Sequence, residues 1–239
     1  MTAPHPLDNP VRASLAGPHA RFAERRGRVL HYRADMCPFF AMPEEPDVTD
    51  WADAAALASP GGLLRLSGVR IQPPADWQIE FRAEGVQLTG ENVPGTPDPE
   101  AVPLGPSDLP EMLALADRTR PGPFLRRTVE MGTYLGIRRD GVLVAMAGER
   151  VHPPGWTEIS AVCTDERWRG LGLASRLVQA VAAGIQERDE VPFLHVLATN
   201  VTAIRLYQEL GFRFRQSTEF WAARVPGSAV RGGDDRLED

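Results

Sequence analysis

Lysine is absent from this 239-residue chain. All 26 basic residues are arginine, set against 32 aspartates and glutamates, so the net charge is −6. An acidic chain of this kind has no need of nucleic acid as a partner, which would call for a basic face. Without lysine there is also no phosphate-binding loop of the G-x-x-x-x-G-K-[ST] type. Cysteine is scarce: Cys37 and Cys163 stand far apart in different segments, so neither a disulfide framework nor a metal cluster is expected, and a reducing, cytoplasmic setting fits. No apolar run approaches the roughly 18 residues that span a bilayer. Met1 to Gly17 is polar and proline-containing, without the apolar centre of a signal peptide. The expectation is a soluble protein with no membrane partner.

What is present is concentrated between Ile159 and Ser175. An apolar strand, a polar connection and a glycine turn lead into a helix expected from Leu173 to Arg188, with Leu173, Leu177, Val181 and Ile185 on one face. The first amides of such a helix have no internal partner and carry the positive end of its dipole, which makes an anion site. Gly170 and Gly172 remove the Cβ atoms that would hold a diphosphate off the backbone, and Arg169 adds charge at the mouth. A dinucleotide turn of the G-x-G-x-x-G type fails on spacing: Ser175 stands in its last place, and Asp165 to Arg169 separate strand from glycines.

Arg169 to Ala174, R-x-x-G-x-A, resembles the coenzyme A pyrophosphate turn of the GNAT acyltransferase superfamily. Further on, Asn200, Ala203, Leu206, Tyr207, Gly211 and Phe212 occupy the fixed positions of that family's N-x-x-A-x-x-L-Y-x-x-x-G-F signature. The resemblance extends over roughly Glu100 to Val225 and is strongest to the glycine N-acyltransferase-like branch. It implies an α+β fold of α/β/α sandwich character, with a central mixed, mostly antiparallel sheet. It also implies direct transfer of an acetyl group from acetyl-CoA, or of another acyl group from its acyl-CoA, to a primary amine in a ternary complex, with no metal. In the family two central strands splay apart and the pantetheine arm fills the gap. Backbone groups of Val162, Cys163 and Thr164 would meet the pantetheine and the thioester. Arg169, Gly170, Leu171, Gly172, Leu173, Ala174 and Ser175 would hold the pyrophosphate, and Asn200 and Tyr207 would reach the pantetheine and the sulfur.

Attack by an amine requires loss of a proton. Glu158 is the first candidate base, taken by strand alternation to share a face with Ser160 and Val162; Glu149 and His195 are alternatives. Tyr207 is the candidate acid for the departing thiolate, with core packing as its other reading. Asn200 is also a natural helix cap, and Cys163 reads as a small core residue rather than a nucleophile. The acceptor is expected to be a small-molecule or amino-acid-like amine, with a protein amine as an alternative. A homodimer is compatible with the pairing of exposed final strands common in the superfamily. The rival reading is a non-catalytic module that binds acyl-CoA for regulation.

Along the chain, 1–91 reads as a smaller α/β region, either a degenerate partial copy of the GNAT fold or a structural cap. It carries a helical signal from Asp8 to Arg26, a helix capped by Thr49 or Asp50, and strands at Arg28–Arg33, Leu63–Ser67 and Trp77–Arg82. Residues 92–99, rich in proline and glycine, form a linker. The catalytic domain then spans 100–225. It holds a helix starting at Asp108, a second short helix within Thr119–Met131, a hairpin turning at Asp140-Gly141, the central strand Trp156–Thr164, a strand at Pro192–Ala198, and two closing strands, Phe212–Ser217 and Thr218–Arg224. Residues 226–239 read as a disordered tail.

Overall fold

The structure, a computed structural model, describes residues 4–226, so the expected tail lies outside the described residues beyond Pro226. In chain order the elements are α1 (Pro10–Leu15), β1 (Ala23–Arg26), β2 (Val29–Tyr32), β3 (Phe40–Ala41), α2 (Val48–Ala58), β4 (Leu63–Ser67), β5 (Gln78–Thr89), β6 (Val102–Leu104), α3 (Leu109–Thr119), β7 (Tyr134–Arg139), β8 (Val142–Glu149), β9 (Trp156–Thr164), α4 (Leu173–Gln186), β10 (Val191–Leu197), α5 (Val201–Glu209) and β11 (Arg213–Arg224). Among the described residues no helix is long and apolar enough to cross a membrane.

Eight strands form one sheet in the order β4-β11-β5-β10-β9-β8-β7-β6, and a separate three-stranded sheet joins β1, β2 and β3. Every pairing in the large sheet is antiparallel except β9 with β10. This is the GNAT fold of the α+β class, mixed and mostly antiparallel as expected. One face is covered by α4, whose Leu173, Leu177, Val178, Val181 and Ile185 are buried against Ile159, Val144 and Leu194, together with α5 through Tyr207. Each fully buried branched side chain of this kind stabilises the fold by roughly 1.5–3 kcal/mol. The other face carries α3, with Met112, Leu115 and Ala116 packed on Met146, Ala161 and Cys163.

The first 91 residues enter this sheet directly, since β4 and β5 stand on either side of β11. Residues 92–99 form neither helix nor strand, yet they are fastened to α4: Gln186 donates from Nε2 to the Val93 carbonyl at 2.8 Å, and Arg176 binds Asp98 through two hydrogen bonds. Three local expectations need correction. The two closing strands are one, β11, with register steps against β5 at Arg215 and between Ala222 and Ala223; its polar middle, Gln216 to Thr218, has ladder partners on β5 that no local pattern reveals. For the same reason β5 runs on to Thr89 instead of ending at Arg82. The helical signal from Asp8 to Arg26 yields the six residues of α1, which Gly17-Pro18 stops, and a single 3-10 turn at Ala20–Phe22 before β1 begins.

Candidate active site

The parallel pair β9–β10 is joined only at Trp156↔Val191, Thr157↔Pro192 and Glu158↔Phe193. Beyond Glu158 both strands continue, β9 held by β8 and β10 by β5, but they no longer bond to each other. Their facing backbone edges are left as an unpaired slot, of the kind that an extended ligand fills as an added strand. At the slot β9 carries a bulge. Met146 pairs with Cys163 and Gly148 with Ser160, so one extra residue is accommodated, and Ala161 takes φ 54°, a region that non-glycine residues seldom occupy. Ile159 and Val162 therefore both face the α4 side, while Ala161 and Cys163 face α3. Glu158 and Val162 thus lie on opposite faces, contrary to simple alternation.

Past β9 the chain makes a short turn at Glu166–Trp168 and enters α4 through Gly170, φ 79°, and Gly172, φ 71°. Both need the left-handed region, which only glycine adopts without strain, and a Cβ on either would point into open space. Gly172 caps α4 with no side chain, so the first amides of a 14-residue helix are left free. Arg169 is exposed beside them and donates from Nε to the Thr164 carbonyl at 3.4 Å.

Slot and helix start open into one cleft of about 910 Å³. Of the sequence-predicted residues, Val162, Cys163, Thr164, Arg169, Gly170, Gly172, Leu173, Ala174, Ser175, Asn200, Tyr207 and His195 line it. Leu171 does not: its side chain is 59% exposed and turns to solvent. Asn200 caps α5 by accepting from the Ala203 amide at 3.1 Å while also facing the cleft. Tyr207 is buried, and burial pushes its phenol up to about 12, so at neutral pH it is a proton donor. Burial likewise raises the Cys163 thiol to about 11, which leaves it un-ionised in the α3-side core.

The expected base is placed otherwise. Glu158 is 1% exposed and does not line the cleft. Its carboxylate is gripped by the Arg150 fork, Nε to Oε2 at 3.0 Å and Nη2 to Oε1 at 3.1 Å, and Oε1 also receives His195 Nδ1 at 2.8 Å. Burial alone would raise this carboxyl, but the Arg150 charge and the His195 hydrogen bond outweigh it and hold it at about 2. A group so acidic and so occupied is an anchor, not a proton acceptor. Nor has His195 a spare nitrogen. Arg215, which can only donate, binds Gln87 Oε1 at 2.8 Å, so the Gln87 amide nitrogen donates to the Leu7 carbonyl and to His195 Nε2 at 2.9 Å; the imidazole proton therefore sits on Nδ1. Glu149, also buried, is bound by Arg188 at 2.9 Å and by the Thr133 amide, outside the cleft.

Sequence reasoning missed Arg150, Gln87 and Arg215, and at the other end of the cleft Phe39, Arg65, Phe81 and Phe220. Only Arg150 left a signal. Glu149 pairs with Ile159 across the β8–β9 connection, and continuing that register sets Arg150 opposite Glu158. The others depend on strands brought together from distant parts of the chain.

Comparison with known proteins agrees with this fold. The FR47-like protein family matches residues 134–222. A solved structure from Novosphingobium aromaticivorans, assigned to the GNAT family of acetyltransferases, is 39% identical, covers 92% of this chain and 98% of its own, and superposes with a TM-score of 0.85. The chain belongs to the GNAT acetyltransferase family. A GCN5-related N-acetyltransferase from Kribbella flavida shares the fold at 18% identity, over 93% of this GNAT chain and 97% of its own, with a TM-score of 0.59. The spermine/spermidine N(1)-acetyltransferase of Bacillus subtilis is 28% identical over 100 residues, which is 38% of this chain and 66% of that relative.

Proposed function

We propose that this GNAT chain transfers an acetyl group, or another short acyl group, from acyl-CoA to a primary amine in a ternary complex. The observation that carries the reading is the slot between β9 and β10, open beyond Glu158 and Phe193 and continuous with the free start of α4. Unpaired amides and carbonyls from Val162 to Thr164 suit the pantetheine arm, and the amides after Gly172, with Arg169, suit the pyrophosphate. Acyl-CoA supplies a thioester: the amine lone pair forms the N–C bond, the C–S bond breaks, and the thiolate leaves. We assign Tyr207 to protonating that thiolate, because it lines the cleft as an un-ionised phenol with no hydrogen-bond partner among the described residues.

For the amine's proton we replace Glu158 as base with solvent. Among the described residues the cleft is lined by Arg65, Arg120, Arg150 and Arg169 and by no aspartate or glutamate. With no carboxylate on the described wall of the cleft to stabilise the ammonium ion, the nucleophile forms without a dedicated carboxylate base and its proton leaves with water. Glu158 then serves as a positioning residue for Arg150 and His195. The polyamine acceptor in the name of the Bacillus subtilis relative is not carried over, because a polycation would find no counter-charge here. We read the first 91 residues as a cap that supplies Phe39, Arg65 and Phe81 to the acceptor end.

The test is calorimetric titration with acetyl-CoA, followed by thiol detection of CoA release across a panel of primary amines. Binding with amine-dependent release is expected. Binding without release from any amine would favour a regulatory acyl-CoA module, and no binding would remove the reading altogether.

A further inference from the structure

We propose that Arg65 reads an acidic group on the acceptor, so that the amine acylated here belongs to a carboxylate-bearing molecule with an apolar or aromatic body. The proposal rests on the acyl-transfer reading above and specifies its substrate class.

Arg65 lies on β4 opposite Ala222 of β11, which in turn faces Phe81 of β5. On β5 the register is unbroken from Phe81 to Gln87, which pairs with His195, so Arg65, Ala222, Phe81 and His195 share one face of the sheet. That face is the one on which Glu158 meets His195, and it is opposite α4 and the pyrophosphate turn. Arg65 therefore stands on the acceptor side of the slot, not the CoA side. Between it and His195 the wall is aromatic. Phe39 bridges directly to Arg65, Phe81 is in its row, and Phe220 lies one row on with its ring 6.1 Å from His195.

The two arginines on this side differ. Arg150 is neutralised by the two-pronged pair with Glu158 and covers the Phe39 ring at 5.0 Å. Arg65 is half-buried and has no carboxylate within salt-bridge distance among the described residues. A guanidinium kept partly out of water beside apolar rings, in a cleft with no acidic residue among the described residues that line it, matches an anion that arrives with the ligand. An amino carboxylate fits both needs: its carboxylate pairs with Arg65, its apolar part rests on the phenylalanines, and its amine points into the slot. The transfer is unchanged, with the N–C bond formed, the C–S bond broken, the amine's proton lost to water and the thiolate protonated.

The experiment compares matched acceptors with the full chain and acetyl-CoA: phenylalanine, leucine and glycine against phenethylamine, isoamylamine and methylamine, with spermidine alongside. Rates are taken per concentration of unprotonated amine, since a carboxylate also alters the amine's own pKa. In at least one pair the carboxylate member should be favoured in kcat/KM by roughly 10- to 100-fold, the worth of a charge-assisted hydrogen bond. Arg65→Gln should bring that ratio to about one, mainly through KM, while acetyl-CoA binding by calorimetry reports that the variant is folded. A ratio that survives Arg65→Gln, or a preference for spermidine or the decarboxylated amines, overturns the proposal. If acetyl-CoA binds but no amine releases CoA, acyl transfer itself has failed. The same pairs titrated into the acetyl-CoA-loaded protein then decide the role of Arg65. Arg65-dependent binding of the carboxylate members supports it, and equal binding within pairs, or none by any carboxylate member, overturns it.

Discussion

Phe193 on β10 is the last residue paired with β9, opposite Glu158, and the two strands part immediately beyond it. The fork is thus closed by a buried ion pair: Glu158 is tied to Arg150, which directly follows β8, and to His195 two residues past Phe193. Strand separation and side-chain anchoring occur at one point, and the slot starts where the charge is locked.

Removing one partner of that lock leaves the other charged and buried. Glu158→Gln should lower stability by roughly 3–5 kcal/mol, read as a shift of the urea midpoint. The pair Arg150→Met with Glu158→Leu should recover most of the loss. The activity that remains in Glu158→Gln should keep the parent's pH–rate profile above pH 5, because a carboxyl held at about 2 does not titrate there. A lost acidic limb would return Glu158 to the role of base.

At the other end of the slot, Gly172→Glu sets a carboxylate against the free amides of α4 and forces a left-handed conformation on a residue with a Cβ. The strain is on the order of 1 kcal/mol, too little to unfold a domain of this size. Calorimetric acetyl-CoA binding should nevertheless disappear, while thermal unfolding in the absence of ligand shifts by only a few degrees.

Tyr207→Phe keeps the ring and its contact with Phe212, 5.9 Å between centroids, and removes only the hydroxyl. If that hydroxyl protonates the thiolate, kcat should fall by roughly 10²–10⁴-fold, with acetyl-CoA affinity little altered. An unchanged kcat would leave Tyr207 as packing alone.

Stability should fall as pH is lowered from neutrality. Burial pushes His19 down to about 3, with His152 and Arg21 adding to the effect, and burial pushes His31 down to about 4. In the unfolded chain both titrate near about 6.5, so below that pH the unfolded state gains protons that the folded state refuses. Each group then removes about 1.4 kcal/mol per pH unit until its folded pKa is reached. Thermal unfolding at pH 7.5 and 5.5 checks this, and an unchanged Tm would contradict it.

The legible parts of the site are those specified by contiguous residues. The apolar run Trp156–Thr164 is a strand with the expected limits, and the fourfold spacing of Leu173, Leu177, Val181 and Ile185 gave the buried face of α4. Gly170 and Gly172 mark a turn whose backbone angles only glycine holds easily. What local pattern could not convey is register between distant strands. Period two assigned Val162 to the face of Glu158, and one inserted residue at Ala161 reversed it. Arg65, Phe81 and Gln87 carry no motif, and they reach the site because β4 and β5 flank β11.

That arrangement also bears on how the chain is made. During synthesis β5 leaves the ribosome well before β10 and β11, the strands that pair with Val86 on its two sides through Val196 and Ser217. Until they arrive both its edges are open to any other strand, the circumstance in which nascent chains aggregate. Glu80, Arg82 and Glu84, alternating along the open half of β5, are the charges that discourage such pairing. In the finished protein Arg82 binds Glu219 and Glu84 binds Arg70, so the residues that keep a waiting strand solitary become the ones that fasten it in place.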